Sequence, residues 1–139
     1  MFNPFKKKAK WTLDDPVFGH IELDSTHGID IWSFIPPDAE TPMICIEAPA
    51  RGPSNVQQKF YTELRSALSS LEAECKTFIS QCESKPDNLA DMTIYAVNIG
   101  PDEEIASGQF EIELSDDDAF EIHRVVFNDM KPVGYEIDD

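Results

Sequence analysis

The chain has 139 residues, with 27 Asp and Glu against 11 Lys and Arg, a formal net charge of −16 at pH 7 and a sequence pI near 4.3. Lys6, Lys7, Lys8 and Lys10 all fall in the first ten positions, so the remaining residues set seven bases against all 27 acids. A body this negative repels phosphate backbones, which argues against nucleic acid as a ligand and favours a basic partner or a self-repelling surface.

Length and an apolar content of 41% point to one domain with one core rather than a disordered acidic chain. No apolar run approaches the ~18 residues of a membrane span. The basic stretch Met1 to Lys10 is followed by Trp11-Thr12-Leu13-Asp14-Asp15 where a secretory signal would place its apolar segment. Cys45, Cys75 and Cys82 are an odd count without metal-like spacing. Cys75 and Cys82 would lie two turns apart on one helix, about 10 Å, which is too far to bridge. The plain reading is three reduced thiols in a cytoplasmic protein.

In chain order, residues 1–12 read as a flexible basic arm and residues 13–139 as a single α+β domain. Val17 to Leu23 and Ile29 to Ile35 alternate on either side of Asp24-Ser25-Thr26-His27-Gly28, the pattern of a β-hairpin. A turn centred on Thr26 pairs Ile21 with Ile31 and His20 with Trp32. Large apolar groups then fall on both faces, so the hairpin is expected to be covered on both sides. Met43 to Ala48 is a third strand whose register the sequence leaves open. After Pro49 to Pro53, Ser54 or Asn55 can cap a helix. Val56, Phe60, Leu64, Leu68, Leu71, Cys75, Phe78 and Cys82 then recur at helical spacing, which predicts one long amphipathic helix over 55–82. Strands follow at Met92–Ile99, Phe110–Leu114, Ile122–Phe127 and Val133–Ile137. A turn between Asp117 and Asp118 pairs Phe110 with Val125, Ile112 with His123 and Glu111 with Arg124. A turn on Met130 pairs Val125 with Tyr135, Phe127 with Val133 and Arg124 with Glu136. The expected fold is therefore α+β: an antiparallel or mixed sheet of six or seven strands with one long helix packed on it.

Candidate sites follow from these faces. Glu111, Glu113 and Glu136 form an acidic ladder around Arg124, with Asp116, Asp117 and Asp118 beside it, and residues 102–139 hold thirteen acids against two bases. Such a surface would steer a basic protein partner. Trp32 and Phe34, with Phe18 and His20, could anchor a partner or could form a second small core under the arm around Trp11 and Leu13; the core reading is preferred. His20 with Glu22, and His123 with Glu121, have the i, i+2 strand spacing that can supply two metal ligands, but spacing dictates no third. Hydrogen-bonded, partly buried histidines are the preferred reading, and a small metal-dependent enzyme using His20, Glu22 and His123 is the alternative. The Asp116–Asp118 run lacks the glycine and late glutamate of a calcium loop. No serine elbow or phosphate cradle occurs, and no cofactor is implied. Net charge opposes strong self-association, so a monomer or weak homodimer is expected.

Phe18-Gly19-x-Ile21-x-Leu23, Trp32, Gln57 and Gln58 to Tyr61, Phe110 to Leu114, His123-Arg124-Val125-Val126-Phe127 and Gly134-Tyr135 occur in an order that spans most of the chain. In this order the chain resembles a loose group of small, acidic, uncharacterised bacterial domains, some proposed as immunity proteins of toxin systems. The resemblance implies a non-enzymatic protein-binding role and carries no catalytic residues with it.

Overall fold

The computed structural model describes residues 11–26, 28–34, 36–37, 41–116 and 121–138. Its centre is one eight-stranded sheet: β1 Trp11–Asp15, β2 Gly19–Thr26, β3 Ile29–Phe34, β4 Met43–Glu47, β5 Thr93–Ile99, β6 Phe110–Ser115, β7 Ile122–Asn128 and β8 Lys131–Asp138. The strands lie side by side in sequence order, and every pair is antiparallel except β4 and β5. Two meanders of four strands are thus joined at one parallel seam. A parallel pair needs a crossover, and here it is α1 Asn55–Arg65 followed by α2 Leu68–Ser80.

The expected single helix is two. Ser66 and Ala67 interrupt it, with the Ala67 amide donating to the Leu64 carbonyl at 2.9 Å and the Ser66 hydroxyl to the Glu63 carbonyl at 2.8 Å. The reason is visible in the spacing. Val56, Phe60, Leu64 and Leu68 step by four, and each such step moves about 40° around a 3.6-residue helix. The stripe therefore walks off the sheet. Val56 is exposed and Leu68 only half-buried, while the buried positions are Gln57, Phe60 and Leu64 on α1 and Leu71, Cys75 and Ile79 on α2.

The strand count rises to eight because β1 pairs with β2 from Trp11 to Asp15, where the sequence reading ended its basic arm. Asp15 closes this hairpin. Its Oδ1 accepts the amides of Val17 and Phe18 at 2.8 and 2.9 Å, and its Oδ2 accepts the Gln58 side chain at 2.9 Å. Residues 1–10 lie outside the described residues.

The β2–β3 register also differs from expectation. Thr26 pairs with Ile29 and Leu23 with Trp32, leaving two residues between the paired ends, and Gly28 takes a positive φ of 78°. The pairing shifts by an odd number of residues, so faces exchange. Trp32 and Phe34 join Ile21 and Leu23 on the helix-covered side. Ile29 and Ile31 join His20 and Glu22 on the other, so this hairpin is covered on one side. At the chain's other end the β6–β7 pairing slips by two residues, to Ile112 with Val125 and Glu113 with Arg124, and every side chain keeps its expected face. In β7–β8 the pairs Val125–Tyr135 and Arg124–Glu136 stand as expected. A bulge beside Phe127 replaces Val133 with Pro132 as its partner, next to a tight turn whose Asp129 and Met130 both have positive φ.

The core lies between the helices and one sheet face. Phe60 packs edge-on against Phe110, which stacks on Phe127 at 4.4 Å between centroids, and Tyr61 stacks on Phe18 at 4.9 Å. α1 therefore grips both meanders. A five-residue helix, α3 Asp102–Ala106, joins β5 to β6 at the end of the sheet and contacts α1.

Candidate functional site

Among the described residues, no helix covers the second sheet face. Its side chains alternate with the core residues along β3 to β7; most are half-buried, while Ala96 and Ser115 are buried. Cross-strand pairing lines them up in rows. Ser33, Cys45, Asn98, Glu111 and Val126 form one row, and Met43, Ala96, Glu113, Arg124 and Glu136 another. Ile31 pairs with Glu47 at the end nearest α3.

Between these rows and α3 is an open groove of about 660 Å³, lined among others by Ile31, Glu47, Glu104, Glu111 and Val126. Asn98 on its floor donates to the Glu111 carboxylate at 3.2 Å and the Glu113 carboxylate at 2.8 Å, which fixes the direction of both. Glu104 reaches in from α3. Its Oε2 lies 1.9 Å from the point a Cβ on Gly100 would occupy, so the missing side chain of Gly100 is what lets this carboxylate lie on the floor. Burial, then the charges of Glu47, Glu103 and Glu111, push the Glu104 carboxyl above its ordinary pKa.

The frame of the groove is held from the covered side by Gln57, 2% exposed. Its Nε2 donates to the Glu47 carbonyl at 2.8 Å and the Gly100 carbonyl at 2.9 Å, tying the ends of β4 and β5 together. Its Oε1 accepts the Ser54 amide, and the Ser54 hydroxyl accepts the Gln57 amide, a capping box at the start of α1. The Ser54 hydroxyl also reaches the Asp102 carboxylate at 2.6 Å, which ties in α3.

Beside the groove, Arg124 lies on the face opposite Phe110 and Val125. Its guanidinium is 3.6 Å from Glu111, 3.6 Å from Glu113 and 3.3 Å from Glu136, and it also pairs with Asp138. The fold thus brings Glu111, Glu113 and Glu136 together as expected and adds Asp138, which the sequence reading missed. Arg124→Glu is expected to lower stability by about 2 kcal/mol at low salt and by less at high salt, because like charges across strands repel and salt screens them. Urea titrations at two ionic strengths test this; a variant as stable as the wild type at low salt refutes it.

The other sequence-derived candidates lie elsewhere. Asp116 is at the far end of β6, where its carboxylate accepts the Asn88 side chain, and Asp117 and Asp118 lie outside the described residues. Trp32 is 1% exposed and Phe34 half-buried, both in the core, so Trp32 has no surface to offer a partner; the register change accounts for this. His20 is exposed and pairs with Asp14 at 2.8 Å. His123 is buried on the covered face, its Nδ1 2.7 Å from the Tyr135 hydroxyl and its Nε2 3.6 Å from Glu121. His20 and Glu22 are therefore separated from His123 by the sheet itself, and among the described residues no three His, Cys, Asp or Glu are grouped to hold a metal. Of the three free cysteines, Cys45 lines the groove and Cys75 is in the core, where burial pushes its thiol up to about 12.

No helix among the described residues is long and apolar enough to cross a membrane. No family model matches this chain, and neither a curated protein nor a solved structure matches it.

Proposed function

We propose that this protein is a non-enzymatic binding module that docks its uncovered sheet face onto a basic protein partner. The observation that carries this reading is the gathering of acidic side chains on one sheet face, where Glu47, Glu104 and Glu111 line the open groove and Glu111, Glu113, Glu136 and Asp138 surround Arg124 beside it. A sheet face that no described helix covers, while the other packs against α1 and α2, is a surface available for contact. A concave surface of one charge sign focuses its field and raises the rate of encounter with the opposite sign. The resemblance to immunity-like bacterial domains fits this reading, with a basic toxin as the partner. It further fits a cytoplasmic protein that is a monomer or weak dimer in the absence of its partner, since its own charge opposes self-association.

The test is co-purification from the native host at low and high salt, with wild-type protein and with a Glu47→Lys, Glu111→Lys double variant. A basic protein retained by the wild type at low salt, released at high salt and lost from the variant is the expected result. If no basic protein is retained at low salt, the reading fails.

A further inference from the structure

Building on that docking face, we propose that its groove receives one arginine side chain of the basic partner, the guanidinium held among Glu47, Glu104 and Glu111 and the stem lying along Ile31 and Val126. The three carboxylates come from three separate elements, β4, α3 and β6, and line one groove, close enough for Glu47 and Glu111 to act on the charge of Glu104, whose own carboxylate lies against Gly100. No lysine or arginine pairs with Glu47 or Glu104 among the described residues. The groove therefore has apolar walls and an acidic floor on which, among the described residues, Arg124 meets Glu111 but no cation meets Glu47 or Glu104, and its charge complement is a cation on an aliphatic stem.

The chain carries its own example of that complement. One row away, the guanidinium of Arg124 gathers Glu111, Glu113, Glu136 and Asp138 on the same face. A guanidinium suits the neighbouring site better than an ammonium. It is planar, offers five donors in a fixed fork, and is weakly enough hydrated to lie against Ile31, Val126 and Val133. Glu104 is held where its negative charge is disfavoured, and an arriving cation relieves that.

Gly100 supplies a variant that alters the site at little expense to the fold. A Cβ there would meet the Glu104 carboxylate, the far end of a flexible side chain, so Gly100→Ala displaces the carboxylate from the floor and leaves the backbone in place. The experiment is an NMR titration of the full chain with N-acetyl-arginine amide, with its uncharged citrulline analogue and with tri-lysine. Arginine amide is expected to produce saturable shifts at the amides of Glu47, Gly100, Glu104 and Glu111, and citrulline none. Gly100→Ala and Glu104→Gln should each weaken arginine binding at least about fivefold, while Glu63→Gln, on the exposed surface of α1, leaves it unchanged. Should Gly100→Ala fail to fold, Glu104→Gln decides alone.

Equal shifts from arginine and citrulline, or unchanged affinity in the groove variants, overturn the proposal. If tri-lysine still binds in a salt-sensitive way under those outcomes, docking on the acidic face stands and the arginine site falls. If neither cation binds at low salt, the docking reading falls as well. A change in sedimentation of the groove variants in the absence of any ligand would identify a second copy of this chain as the occupant, and would also overturn the proposal.

Discussion

Trp32→Ala is expected to lower the free energy of unfolding by about 4 kcal/mol, the middle of the range for truncating a buried aromatic side chain. Trp32 is 1% exposed, lies between Leu23 and Ile46 in the cross-strand row, and donates its indole N–H to the Pro49 carbonyl at 2.9 Å. Its removal leaves a cavity at the centre of the first meander and frees the carbonyl of the loop leading to α1. Trp32→Phe separates the two effects. It keeps most of the ring volume and loses the hydrogen bond, so it should cost about 1–2 kcal/mol. Urea denaturation of both variants measures the difference. A cost for the alanine variant below about 1 kcal/mol would mean that the side chain is not a core element, and the one-sided burial of this hairpin would be wrong.

That residue also marks where the sequence stopped being readable. The alternation of β2 and β3 is plain, but alternation defines faces within a strand and not the match between strands. The turn supplies the match, and Asp24 to Gly28 admits several centres. Moving the centre from Thr26 to the two residues before Ile29 carries Trp32 from one face to the other. The same kind of error at the β6–β7 turn was an even slip. Arg124 therefore kept its face and its carboxylates although its partner changed from Glu111 to Glu113. The helix break followed a rule that was available, since a stripe stepping by four rotates away from any flat surface. β1 carried little apolar signal: Trp11 is 65% exposed, and what holds the strand is the Asp15 turn, a network of side-chain bonds to backbone that periodicity does not register.

The groove was legible in parts only. Glu111 could be placed, with Arg124 and Glu136 beside it, because all three lie in one meander of short connections. Glu47 and Glu104 could not be joined to them from the sequence, because that requires β4 to lie beside β5 across the helical crossover, a contact between residues far apart in the chain. Two local signals did exist. Glu47 alternates with Ile44 and Ile46 and so must face away from them. Gly100 stands four residues before Glu104, at the entry to a short acidic helix.

Gln57→Leu is expected to cost about 3 kcal/mol, since it roughly preserves volume and removes at once three part-buried hydrogen bonds made by a buried side chain. The carbonyls of Glu47 and Gly100 and the amide of Ser54 would all lose their partner where water enters poorly, and a buried polar group left unpaired costs far more than a made bond contributes. Gln57→Glu is the informative companion. It retains an acceptor for the Ser54 amide but turns a carboxylate towards two carbonyl oxygens, so at neutral pH it should be at least as damaging as leucine, and it should recover part of the loss in acid, where the carboxyl becomes a donor. Hydrogen exchange at residues 47 and 100 should quicken in both variants while exchange at Phe127, across the sheet, changes only with global stability. Because the same amide fixes the ends of β4 and β5, the loosened seam would also spread Glu47 from Glu104, so any ligand of the groove should bind these variants more weakly even under conditions where they remain folded. A Gln57→Leu variant within about 1 kcal/mol of wild type would show that solvent replaces these bonds and that the groove is not held rigid from the covered side.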